Sequence, residues 1–169
     1  MYYQNKKKNS TIPKEWFFFK PQNLSDNKNL SHLTKKVGVI FFNNTLSVNK
    51  FMKKIELCVK FCQKKKIKFI IPYSEFWGNK YRAFGMMVET DRKSQSAHVR
   101  KKKYRNYFIT AKVHNFKEAF LAKGLADLIF LSPVLKTNSY PEKQPLTNYI
   151  FISLCFFFKE EVVFALGGV

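Results

Sequence analysis

Seven short apolar runs, dense in aromatic and β-branched residues, punctuate this chain: Trp16–Phe19, Val37–Phe42, Lys68–Tyr73, Gly85–Val88, Tyr107–Val113, Asp127–Val134 and Val162–Leu166. Each predicts a buried strand. Most are continuous and not alternating, as expected where helices cover both faces of a parallel sheet. The clearest helix between them spans about Asn49–Lys66. There Val48, Phe51, Met52, Ile55, Cys58, Val59 and Cys62 recur at helical spacing as one apolar stripe, with Lys50, Lys53, Lys54 and Lys60 opposite. Lys64–Lys66 close its last turn, where cations suit the macrodipole. A second helix opens at Asn115, with Glu118 completing a capping box and Gly124 suiting the exit. Phe116, Ala119, Phe120 and Leu125 give its buried side. Strand, helix, strand, repeated, predicts an α/β fold built as a right-handed βαβ series. The architecture expected is a TIM-type β/α barrel with seven strands and its last unit missing. A doubly wound open sheet is the alternative, and the lack of a glycine-rich turn after the first strand counts against it.

Composition changes this picture little, and charge changes it more. Of 169 residues 46% are hydrophobic, which excludes disorder over most of the length. The net charge is +20 and invites a nucleic-acid or anionic-surface reading. Lys64-Lys65-Lys66-Ile67-Lys68 and Arg100–Arg105, with Tyr104 and Tyr107 as stacking groups, would carry that function. Against it, only Arg82, Arg92, Arg100 and Arg105 are arginines, the residue that reads bases and phosphate forks. The basic clusters precede expected strands, which puts them at the amino-terminal ends of the strands, away from the end where β/α barrels do chemistry. Residues 1–110 hold 25 basic and 6 acidic groups, and residues 111–169 hold 6 and 5. Chemistry therefore belongs to the near-neutral part. Residues 1–13 are expected to form a basic tail and 14–169 the barrel domain. The tail has no apolar segment of the signal-peptide kind, and the longest apolar run, Tyr149–Phe158, is too short to span a bilayer. Three cysteines without a secreted framework complete the expectation of a cytoplasmic protein. Cys58 and Cys62 share a helical face and could be a ligand pair, but the apolar stripe favours packing.

At the carboxyl ends of the expected strands two segments stand out. One is Ser132-Pro133-Val134-Leu135-Lys136-Thr137-Asn138-Ser139-Tyr140-Pro141, where hydroxyls of Ser132, Thr137 and Ser139 and the cation of Lys136 suit a phosphate. It reads equally as a surface loop built from turn formers. The other is Gly167-Gly168 just past the last strand, where paired glycines let backbone N–H groups approach an anion or simply end the strand. Lys112 projects near the same place, as a phosphate contact or a solvated rim residue. His114 reads as structural, Asp127 as a turn residue, and Tyr73 and Trp77 as core aromatics or stacking groups for a pyrimidine.

His114-Asn115, Glu118-Ala119, Gly124-Leu125-Ala126-Asp127, Phe130-Leu131-Ser132-Pro133-Val134, Thr137, Ser139 and Ala165-Leu166-Gly167-Gly168-Val169 together resemble the thiamine phosphate synthase and thiazole tautomerase (TenI) family. The resemblance covers about residues 107–169. It implies a β/α barrel of thiamine biosynthesis that binds phosphorylated thiazole and pyrimidine precursors. It also implies a transferase joining them with release of pyrophosphate, using Mg²⁺. From the resemblance Thr137 and Ser139 are expected to contact ligand, and Gly167 and Gly168 to hold phosphate.

The pattern is broken elsewhere. Pro72 and Tyr73 stand where the synthase has an Asn-Asp pair, and Glu89-Thr90-Asp91 displaces its second metal-binding Asp by one. Ile40-Phe41-Phe42-Asn43-Asn44 replaces its Gln-x-Arg-Glu-Lys segment. Lys112 replaces a serine, Tyr140 a lysine, and Pro133 the histidine of the tautomerase. No Mg²⁺ ligands are recognisable, so the residues leave open a synthase, a binder of precursors, or an inactive shortened relative. The lone edges of an unfinished barrel further imply an oligomer or partner that covers the gap.

Overall fold

A computed structural model describes residues 12–21, 24–43, 46–89, 107–136 and 144–167, and the chain divides into two compact units, residues 1–84 and 85–169. The first unit runs β1 (Glu15–Phe19), α1 (Leu24–His32), β2 (Val37–Phe41), α2 (Val48–Lys54), α3 (Glu56–Lys65), β3 (Phe69–Pro72) and α4 (Glu75–Tyr81). The second runs β4 (Gly85–Val88), β5 (Phe108–Val113), α5 (Phe116–Ala122), β6 (Leu128–Leu131), α6 (Asn148–Phe157) and β7 (Val162–Ala165). All seven apolar runs are strands. The part of the expected tail at residues 1–11 lies outside the described residues, as does the basic cluster Arg100–Arg105.

In the first unit β1, β2 and β3 pair in parallel in chain order, with Phe18 opposite Ile40 and Ile40 opposite Ile70. Phe19, Ile40, Phe41, Ile70 and Ile71 on the strands and Phe51, Met52, Ile55 and Val59 on the helices are all buried. Phe41 sets its ring edge-on to Phe19 at 5.3 Å and to Phe69 at 6.2 Å. Gly38 lies opposite Trp16 in the register, and a Cβ there would overlap the indole ring. Glycine is what lets that ring lie across β2.

The single helix expected over Asn49–Lys66 is instead two. Ile55, at φ −95° and ψ 4°, separates α2 from α3, although its N–H still reaches the Phe51 carbonyl at 3.1 Å. The apolar stripe continues through the bend, since Phe51, Met52, Ile55, Val59 and Cys62 are all buried. Ser47 caps α2 and Ser74 caps α4, each side chain accepting from a backbone N–H three residues on. Lys66 and Arg82 end α3 and α4 in the left-handed conformation.

The second unit pairs β4, β5, β6 and β7 in parallel, again in chain order. Ile109, Ala111, Val113, Leu128, Ile129 and Leu131 on the strands are buried, as are Ala119, Ala122, Leu154 and Phe158. The expected run Asp127–Val134 is a strand only over Leu128–Leu131, and Pro133, which has no N–H to give a ladder, stands two residues beyond its end. Asp127 is more than a turn residue. Its Oδ2 accepts from the Ile109 N–H at 2.8 Å, and its own N–H donates to the Ile109 carbonyl at 2.7 Å. Helix α5 ends at Ala122, with Gly124 at φ +69° just past it.

Candidate functional site

The carboxyl ends of β5, β6 and β7 are stitched together by backbone. Ser132 N–H donates to the Val113 carbonyl at 3.0 Å and Leu166 N–H to the Leu131 carbonyl at 2.8 Å. Val134 N–H then donates to the Leu166 carbonyl at 3.0 Å, and Leu146 N–H to the Pro133 carbonyl at 2.8 Å. The Ser132–Pro133 peptide bond is cis. Gly167 follows at φ +116°, a conformation that side chains disfavour. Three of the residues expected at a phosphate site therefore stand at adjoining strand ends: Lys112 beside Val113 on β5, Ser132 past β6 and Gly167 next to Leu166 past β7.

Ser132 is buried, Lys112 half-buried and Lys136 exposed. Lys112, Phe130 and Phe164 occupy one register row and so share a sheet face, where Phe130 stacks on Phe164 at 5.2 Å and 17°. Thr137, Ser139 and Gly168 lie outside the described residues. The aromatic row was not foreseen as part of the site. The register that aligns it with Lys112 is a tertiary fact, though the phenylalanines themselves were visible in the strand runs.

His114 and Glu118 form the start of α5. Glu118 Oε2 accepts from the His114 N–H at 2.9 Å and lies 2.7 Å from Nδ1, while Oε1 accepts from Asn115 Nδ2 at 3.0 Å. Asn115 Oδ1 in turn accepts from the Glu118 N–H at 2.9 Å. This is the expected capping box with the histidine added, and it gives His114 a structural role. Burial pushes the Glu118 carboxyl up, but the hydrogen bonds from the His114 side chain and backbone and from Asn115 outweigh it and hold it below its usual value. A carboxyl lowered in the folded state stabilises fully above the unfolded carboxylate range, and that contribution fades as pH falls through the folded value. Glu118→Gln should accordingly flatten the acid limb of the stability curve below about pH 5. Urea midpoints measured across the acid range check this; an unchanged acid limb would show that the box contributes nothing.

In the first unit the aromatic alternatives resolve. Trp77 is buried, donates through Nε1 to Asn49 Oδ1 at 2.8 Å and stacks on Tyr81 at 5.7 Å and 7°. It is a core residue. Tyr73 donates its hydroxyl to Glu75 Oε1 at 3.0 Å. Cys62 is buried, and burial, with Cys58 beside it, pushes its thiol up to about 12. Burial also raises Cys58. Both are poor thiolates, as packing residues are.

Magnesium finds no fit in this donor set. Among the described residues no three His, Cys, Asp or Glu side chains come together as a metal cluster. At the end of β3 the chain offers Pro72 and then a tyrosine hydroxyl already donated to Glu75, and neither is the hard carboxylate oxygen that Mg²⁺ prefers. Asp91 lies outside the described residues.

The fold has a solved counterpart. The chain is similar to a thiamine phosphate pyrophosphorylase from Pyrococcus furiosus, with a TM-score of 0.66 and 13% identity over 93% of this chain and 76% of that one. At that identity the likeness is one of fold: an α/β fold of seven parallel strands in TIM-type β/α succession. No family model and no curated protein matches the chain. The stitched segment of Ser132–Val134 and Leu166–Gly167 lies at the carboxyl ends of β6 and β7. Among the described residues no helix is long and apolar enough to cross a membrane.

Proposed function

We propose that this chain is a thiamine phosphate synthase-like protein that binds phosphorylated thiazole and aminopyrimidine precursors at the carboxyl ends of β5, β6 and β7. The observation that carries the reading is the backbone junction of Val134 with Leu166, followed by Gly167 at φ +116°. An anion resting past that junction would meet the backbone N–H of Gly167, which no Cβ screens, with the Ser132 hydroxyl and the Lys112 ammonium on the adjoining strand ends. Lysine acts as a point charge and suits a phosphate without demanding fork geometry. Thr137, Ser139 and Gly168 extend the same site in this proposal, as the family resemblance suggests, and Lys136 adds a cation from the same loop. Pro133, standing where the tautomerase has its histidine, favours the synthase over the tautomerase.

The reaction in this reading joins the two precursors. The thiazole nitrogen forms a bond to the exocyclic methylene of the aminopyrimidine, whose bond to pyrophosphate breaks with its electrons on the departing oxygen. Lys112 would offset charge on that leaving group. The compartment proposed is the cytoplasm, in keeping with three free cysteines.

Calorimetric titration with thiazole phosphate, aminopyrimidine pyrophosphate and thiamine phosphate tests the proposal, with pyrophosphate release from the mixed precursors followed in parallel. At least one ligand should bind, and Lys112→Ala should weaken it about 10–100-fold, the worth of one charge-assisted hydrogen bond. Neutralising Lys64, Lys65 and Lys66 should leave the affinity unchanged. Binding without release would mark an inactive relative. Silence towards all three ligands would overturn the reading.

A further inference from the structure

The segments that enter the strands of the first unit are basic. Lys14 stands just before β1, Lys35 and Lys36 just before β2, and Lys64, Lys65 and Lys66 just before β3; all are exposed. The three strands are parallel, so these segments meet at one end of the sheet. Glu15 pairs with Val37, which places Lys14 and Lys36 one residue ahead of the same register pair. The opposite ends of the strands are left by Lys20, by Phe42-Asn43 and by Tyr73-Ser74-Glu75. Lys64 and Lys65 also suit the carboxyl end of α3, but Lys14, Lys35 and Lys36 lie in no helix.

Parallel strands lie about 4.8 Å apart, so three strand ends gather these lysines over about 10 Å, on the order of one Debye length. Like charges that close repel, and among the described residues no carboxylate is paired with any of them. Glu15 is the one acidic side chain on these segments. A polyanion relieves the whole row at once.

The chemistry of the row narrows the polyanion. Lysine neutralises a phosphate as a point charge and reads no base, so it suits a backbone of any sequence. Aromatic surface edges the row. Phe84 donates its N–H to the Phe69 carbonyl at 3.0 Å, its ring lies 5.8 Å from that of Trp16, and the Lys68 ammonium lies 5.1 Å from its centre. Both rings are half-buried, and unpaired bases stack on rings beside cations. Among the described residues the exposed large apolar side chains of this unit are Leu46, Leu57 and Phe76, none of them at the strand entries. The row therefore has nothing to insert beneath lipid headgroups. We propose that the strand-entry end of the first unit binds single-stranded nucleic acid through its phosphodiester backbone, a function that does not depend on the precursor site.

Fluorescence anisotropy of end-labelled oligo-U and oligo-dT with the whole chain tests this. Both should bind, and with about five phosphates engaged the affinity should fall about 100-fold between about 50 and about 200 mM salt. Lys35→Gln combined with Lys36→Gln and Lys64→Gln should weaken binding at least about 20-fold at the lower salt and flatten the logarithmic salt slope by about 0.7 per phosphate lost. Its far-UV circular dichroism should match the wild type, these residues being exposed. Should the triple variant fail to fold, Lys35→Gln with Lys36→Gln carries the same expectation at about 5-fold. Lys50→Gln with Lys53→Gln and Lys54→Gln removes as much charge from exposed positions of α2 and should change the affinity less than about 3-fold. Equal losses in the two triple variants would overturn the proposal, as would no binding at the lower salt. So would tighter binding to a duplex of the same length, to phosphatidylserine vesicles or to polyglutamate.

Discussion

Replacing Phe158 with alanine should remove about 3–5 kcal/mol of stability, the usual cost of emptying a phenylalanine site in a closed core. Phe158 is fully buried and stands just past α6, its N–H donating to the Leu154 carbonyl at 3.0 Å. The Phe157 ring meets it edge-on at 5.1 Å, and the Lys123 ammonium lies 5.7 Å from its centre. That ammonium is held by the Phe157 carbonyl at 2.7 Å and by Glu161 at 3.1 Å, so the wall of the site cannot simply collapse inwards. A domain of ordinary stability has 5–15 kcal/mol in hand, which this loss would largely consume. Phe158→Leu keeps most of the volume and should cost under about 2 kcal/mol. Urea unfolding of both variants separates volume from position; a loss below about 1 kcal/mol for Phe158→Ala would show that the site refills.

Asp127→Ala should cost about 2–3 kcal/mol, the range for a hydrogen bond to a charged acceptor whose donor is then stranded. One residue here aligns the starts of three strands. Its carboxylate takes the Ile109 N–H, its N–H reaches the Ile109 carbonyl, and its carbonyl accepts the Val162 N–H at 3.3 Å. The two main-chain bonds survive the substitution, and the carboxylate bond does not. Asp127→Asn keeps an acceptor without the charge and should recover roughly half of the loss. Hydrogen exchange at the Ile109 amide gives a local reading: it should accelerate in Asp127→Ala and stay near wild type in Asp127→Asn. Equal exchange in all three proteins would remove the carboxylate from the account.

What the sequence made legible follows from how local each signal is. Strands β2, β3 and β6 are runs such as Phe69–Ile71 that have no other way to bury themselves. The α5 cap needed only Asn115 and Glu118, three residues apart, and the structure forms it. The bend at Ile55 was hidden because the apolar stripe reads the same through a continuous helix or a broken one. Helix α6 was hidden for the opposite reason: Tyr149, Ile152 and Phe156 make its outward side as apolar as its inward side, so periodicity had no contrast to show. Asp127 was read as a turn because its partner, Ile109, is eighteen residues away. At the candidate site, Lys112, Ser132 and Gly167 were each visible as residue types. Their neighbourhood rests on bonds such as Val134 to Leu166 that no local pattern announces.

The two tryptophans of the chain, Trp16 lying over Gly38 and Trp77 stacked on Tyr81, both belong to the first unit. Indole emission is therefore an optical channel tuned to residues 1–84, while residues 85–169 are dark in it and report only through tyrosine, phenylalanine and backbone. Each experiment on Phe158 or Asp127 thus carries its own internal comparison. A transition seen at the same urea concentration by indole emission and by far-UV dichroism means one cooperative chain; an indole signal unmoved by Phe158→Ala means two units that melt on separate terms.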